Sequence, residues 1–207
     1  MSTWLSGGAT GGCEVSRDAL CMCIPATAPP RLVLYSDNRL YAGNLGNRAT
    51  TTAQCAAYAT NIGLSCTSTP MLLSYTATPV SNFPTLFSFS SEAWVEGPTG
   101  KIIGLWSTMF KGGSTVLSTS LNTAEVVSSP YDFYWTGTNN AGAISGGTCS
   151  QFTSALSTDI GGAGYAQSTT ATWVFAGNGQ CNTGIKTVCV CVTGTSTTSP
   201  SHAPTSN

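Results

Sequence analysis

The chain has 207 residues, of which only 7% are charged, with a formal net charge of −1, whereas an average globular chain carries roughly 25% charged residues. Its 41% hydrophobic content is enough for a core and sets it apart from disordered chains. The seven basic residues, Arg17, Arg31, Arg39, Arg48, Lys101, Lys111 and Lys186, are scattered, so no clustered positive surface is expected for nucleic acid.

Nine cysteines point to disulfides or metal. A zinc site calls for C-x2-C pairs or histidines in the body of the chain. Neither is present, and the lone His202 lies in a polar tail. Disulfides, and so an oxidising environment, are the expectation, with no metal and no cofactor. An odd count leaves one thiol over, free or bonded to another chain. No apolar run approaches the ~20 residues of a membrane span, so no membrane insertion is expected. Met1 to Gly12 has no basic start and no continuous apolar run, so this chain is expected to carry no signal peptide. It would reach an oxidising place after loss of a presequence, or by another route such as release inside a virus particle.

Residues 1–30 read as an arm, broken by Gly7-Gly8 and Gly11-Gly12 and closed by Pro29-Pro30. Within it, Ala19 to Ile24 reads as a strand whose Cys21-Met22-Cys23 echoes Cys189-Val190-Cys191, which suggests that the two pair. Residues 31–194 form the domain. Leu32 to Tyr35 is its first strand. A helix is predicted over about 51–62, with Thr51 and Gln54 as a capping box, Cys55, Tyr58/Ala59 and Ile62 on the inner face, and Asn61-Gly63 as the stop. Its inward cysteine is well placed to be tied to a strand.

Ala93 to Glu96 and Lys101 to Trp106 predict a hairpin around Gly97-Pro98-Thr99-Gly100. Tyr134-Trp135 leads into a long excursion, 137–170, that reads as loop from its Gly, Ser, Thr and Ala content. Within it, Gly161-Gly162-Ala163-Gly164 reads as a flexible tip, for it lacks the lysine of a phosphate loop. Thr172 to Phe175 and Thr187 to Val192 read as strands. Residues 195–207 are a Ser/Thr/Pro tail, as of a linker or stalk. One helix, many short strands and long loops predict a mixed α+β domain.

No catalytic constellation is expected. Cys21 or Cys23 with His202 has nothing to orient it, and Asp132 with Asp159 is one chance pair among eight carboxylates. Trp94, Trp106, Trp135 and Trp173 read as core, with a stacking role for sugar or peptide open to Trp94, beside Glu92 and Glu96.

Tyr41-Ala42-Gly43-Asn44-Leu45-Gly46, followed by the helix with Cys55 and by Gly63-Leu64, resembles the opening of the leptospiral endostatin-like domains. Those are surface adhesin domains with a C-type-lectin-like fold. Trp135-Thr136-Gly137-Thr138-Asn139 with Gly142 is similar to their central strand and loop, and Cys149, Trp173 and Cys181-x7-Cys189 to their closing segment. The resemblance covers residues 32 to 193. It implies a loop-in-loop fold with its ends together, and disulfides Cys55–Cys189 and Cys149–Cys181. Cys13, Cys21, Cys23, Cys66 and Cys191 fall outside its pattern.

The Glu-Pro-Asn, Gln-Pro-Asp and Trp-Asn-Asp motifs of calcium-dependent sugar binding do not occur, and 137–181 offers one carboxylate, Asp159. The expected function is therefore calcium-independent, non-enzymatic recognition of a protein or glycan on a cell or particle surface through loops 138–180. Candidate contacts are Asn139, Asn140, Asp159 and Tyr165, with Trp94, although Asn139-Asn140 also reads as a turn. The alternative is a structural subunit of a virion coat, fibre or surface assembly, held to its neighbours by the arm and disulfides.

Overall fold

Strand β1 (Arg31–Tyr35) feeds two cores, because successive side chains of a strand point to opposite faces. Leu32 and Leu34 enter a large aliphatic and aromatic core, and Val33 and Tyr35 enter a smaller one rich in cysteine. The structure, a computed structural model, describes residues 31–128 and 132–194. The expected arm strand and its cysteines, and the tail, lie outside the described residues.

The main helix α1 (Arg48–Asn61) follows β1. Two one-turn helices, α2 (Phe83–Leu86) and α3 (Trp106–Met109), flank the hairpin of β2 (Trp94–Glu96) and β3 (Ile102–Leu105). Then come β4 (Phe133–Trp135), a one-turn element α4 (Cys149–Phe152), β5 (Ile160–Tyr165), β6 (Gly177–Gln180) and β7 (Cys189–Val192). The domain is mixed α+β. One sheet has the order β3-β2-β1-β7, with β1 and β2 parallel and the other pairs antiparallel. The second is antiparallel, β4-β5-β6.

First and last strands are neighbours: Leu32 faces Val192 and Tyr35 faces Cys189. The period of two explains the C-x-C of β7. Val190 and Val192 join the first core, while Cys189 and Cys191 face the second. There Cys55 of α1 is bonded to Cys189, and Cys66 to Cys191. Cys149 is bonded to Cys181, 32 residues on. In the chain-entropy view, loops of these lengths stabilise a fold by roughly 3–5 kcal/mol each.

The helix begins earlier than its sequence suggests. Asn47 is the cap, its side-chain oxygen accepting from the Thr50 N–H at 3.0 Å. Thr51 lies inside the first turn, where its hydroxyl donates back to the Asn47 and Arg48 carbonyls. The buried face is Thr51, Cys55 and Ala59, whereas Ile62 is 40% exposed, because the helix has already ended. Gly63, at φ +75°, donates to Thr60 and Leu64 donates to Ala59, a Schellman closure.

Two further expectations are corrected. Trp173 is not in a strand but in a 3-10 turn, Ala171–Trp173. Its carbonyl accepts from the Tyr134 hydroxyl, and its indole N–H donates to Met109 at 2.9 Å. The supposed flexible tip, Gly161 to Gly164, is the buried centre of β5. Its glycines are demanded by close approach. A Cβ on Gly161 would lie 2.6 Å from the Cys149 sulfur and 2.8 Å from the Trp135 ring, and one on Gly164 2.7 Å from the Tyr134 ring.

Candidate functional site

The excursion after β4 builds a sheet face with a cleft. Phe133 and Trp135 alternate with buried Tyr134, so both project to one side of the second sheet. Phe133 faces Tyr165 across the strands, Trp135 faces Ala163, and Ala163 faces Gly177. Between β6 and β7 the chain runs to the outer edge of β4, where Lys186 donates to Phe133 and accepts from Trp135. That run places Thr183 and Ile185 opposite the aromatic residues, and a cleft of about 280 Å³ is left between them. Glycine at 177 and 179 keeps its floor low.

The walls are held from behind. Trp135 is fully buried, with its indole N–H on the Tyr41 carbonyl at 2.8 Å. Tyr41 in turn exchanges backbone bonds with Ile185. Phe133 is 48% exposed, and the Tyr165 ring packs on it at 5.0 Å between centroids. The Tyr165 hydroxyl donates to Gln167, whose amide donates to Asp132. No charged side chain lines the cleft. Such a space suits an uncharged ring or apolar side chain, with amide and hydroxyl groups near its rim.

Beneath the sheet lies a strained turn. Cys149, Ser150, Gln151 and Phe152 all have φ between +48° and +60°, so α4 is left-handed. Each such residue costs roughly 1–2 kcal/mol. The Thr148 side chain caps Gln151 N–H, the Gln151 side-chain oxygen accepts from Thr76, and the Phe152 ring packs edge-on to Tyr75. With the bond from Cys149 to Cys181, these contacts over-determine the turn and fix the root of the excursion.

The candidate contact residues do not gather. Asn139 forms a turn, its side-chain oxygen accepting from Ala141 and Ala143, and exposed Asn140 lies within that turn. Asp159 accepts from the Ser150 hydroxyl at 3.1 Å and precedes β5. Tyr165 closes the same six-residue strand, so the two are roughly 20 Å apart at ~3.3 Å per residue. Asp132 sits beside the Tyr165 end, where its carbonyl accepts from Ala166 and its carboxylate from Gln167, so it lies far beyond the ~5–9.5 Å spacing of a carboxylate pair with Asp159. Trp94, 43% exposed, stands on the first sheet beside Arg31 and Leu105. None of the five lines the cleft, and Tyr165 reaches it only by packing on Phe133.

Phe133, Thr183 and Ile185 were not singled out by sequence. The one available signal is the Gly177-Asn178-Gly179-Gln180 alternation, which has the period of a strand but the composition of a loop. Among the described residues, no group of three or more His, Cys, Asp or Glu side chains gathers as a metal site would need. No helix among them is long and apolar enough to cross a membrane. No protein-family model matches the chain, and no curated protein matches it.

Proposed function

We propose that the chain is a calcium-independent, non-enzymatic recognition module of the C-type-lectin-like kind, displayed outside the cell or on a particle surface. Its contact is with a protein or glycan, through the second sheet and its Phe133–Ile185 cleft. The observation that carries the reading is the cleft itself: uncharged, aromatic-walled, and braced by a buried tryptophan and a disulfide. Rigid scaffolding behind exposed aromatic groups is what recognition surfaces use. The fold assignment draws support from the adjacent first and last strands and from the helix-to-β7 disulfide.

The test is adhesion of the whole chain to host-cell or particle surfaces, with Phe133→Ala and Tyr165→Ala as variants. Either should weaken binding about tenfold or more, as loss of a central aromatic contact does, without lowering the unfolding midpoint by more than a surface change would. Unaltered adhesion in both variants overturns the reading.

A structural role, as a subunit locked to its neighbours, is favoured by cysteine arithmetic. Three disulfides use six of the nine cysteines, which leaves Cys13, Cys21 and Cys23 in the arm, an odd number. A ladder on a non-reducing gel that collapses when all three become serine supports assembly through the arm. A monomer under both conditions counts against it.

A further inference from the structure

A second pocket lies between α1 and the turn after β1, linked to the first through the backbone of Tyr41, and its chemistry is the reverse of the first. It has a volume of about 340 Å³ and is lined by Asp37, Arg39, Tyr41, Gln54, Tyr58 and Asn61, over the Cys55–Cys189 bond. That is near the lower end of ligand pockets, which run from about 300 to 1,000 Å³.

The walls are preset. The Ser36 hydroxyl accepts from Asn38 N–H, and the Asp37 carboxylate accepts from Arg39 N–H at 3.1 Å. The Asn38 side chain ties the turn to Ser128 at 2.8 Å. The Tyr41 hydroxyl donates to Asp37. Tyr58 lies parallel to Tyr35 at 5.9 Å, and the Tyr35 hydroxyl donates to the Cys55 carbonyl. The phenols show that the charges share this space. Tyr41 is pushed up to about 12 by burial and by Asp37, and Arg39 opposes the shift. The Tyr58 phenol is raised by burial, with Asp37 acting in the same direction and Arg39 against it.

Asp37 is engaged by two donors, but the exposed Arg39 guanidinium has no carboxylate partner among the described residues, whose ion pairs are Arg31–Glu96 and Lys101–Glu125. An unpaired guanidinium beside tyrosine rings and two side-chain amides offers a fork for a carboxylate, flat faces for a ring, and partners for hydroxyls.

From this arrangement we infer that the pocket binds an acidic monosaccharide unit, a pyranose carrying a carboxylate. Arg39 takes the carboxylate, and Gln54 and Asn61 take ring hydroxyls. The ring packs against Tyr41 and Tyr58. Arg39 lines this pocket alone and Phe133 the cleft alone, so the two variants test each site without touching the other.

Methyl glucuronide and methyl glucoside, which differ in the carboxylate, are the probes, with binding followed by ligand-observed NMR and titration calorimetry on the whole oxidised chain. The glucuronide should bind at least about tenfold more tightly, as a charge-assisted contact implies. Arg39→Ala should erase that preference, and Phe133→Ala should leave it unchanged. Equal affinity for the two sugars, no binding of either, or a preference that survives Arg39→Ala overturns the inference.

Discussion

Arg48 opens α1 yet serves the loop beside it. Its guanidinium donates to the carbonyls of Met71, Leu73 and Thr78. It also lies over the rings of Tyr75 at 4.5 Å and Phe83 at 4.9 Å. Burial lowers its pKa to about 10, and no carboxylate among the described residues compensates the charge. Backbone carbonyls and aromatic faces replace water around it, and together they tie the stretch from Met71 to Phe83 to the start of the helix. Arg48→Met keeps the stem and removes the fork. The stranded carbonyls should cost about 2–4 kcal/mol, read as a lower urea midpoint. Arg48→Lys should recover only part of this, because one ammonium cannot reach three carbonyls in the plane that a guanidinium spans. A wild-type midpoint for the methionine variant would refute this role.

At the scale of elements, patterned segments were legible and close-packed ones were not. The hairpin of β2 and β3 follows from apolar residues on either side of Gly97-Pro98-Thr99-Gly100, and the helix stop from Gly63. The cysteine of the helix faces inward and reaches β7. Strands β5 and β6 escaped because strand signals rest on β-branched and aromatic side chains, whereas β5 carries glycine where neighbouring rings occupy the space and β6 alternates glycine with Asn178 and Gln180. The missed cap has a similar cause: Thr51 and Gln54 match a capping box, but Asn47 lies one turn earlier. For the same reason the cleft could not be read, since its low floor is made of absent side chains. Gly161→Ala separates a loop tip from a packed strand. Its Cβ would press on the Cys149 sulfur and the Trp135 ring, so the change should destabilise by about 1–3 kcal/mol, as overpacking does. Melting at the wild-type temperature would restore the loop reading.

Across the whole molecule, the three disulfides among the described residues gather in the cysteine-rich core. Two join α1 and the turn after it to β7, and the third pins the excursion, so the smaller core is closed by bonds as well as by burial. Inside this frame the tyrosines work as neutral donors. Tyr35 donates to Cys55, Tyr134 to Trp173, Tyr41 to Asp37 and Tyr75 to Gly46. Burial raises all four phenols, Tyr41 to about 12 and Tyr134 well beyond its ordinary value. In the unfolded chain a phenol ionises near pH 10. A raised folded value therefore gives stability that is fully present below about pH 10 and is lost as pH climbs through 12. In rapid pH jumps, too brief for disulfide cleavage, most phenolate absorbance should appear together with loss of the near-ultraviolet dichroism of the buried aromatics. If phenolate instead grows smoothly around pH 10 while the dichroism persists, these hydroxyls are not the closed donors that the packing requires.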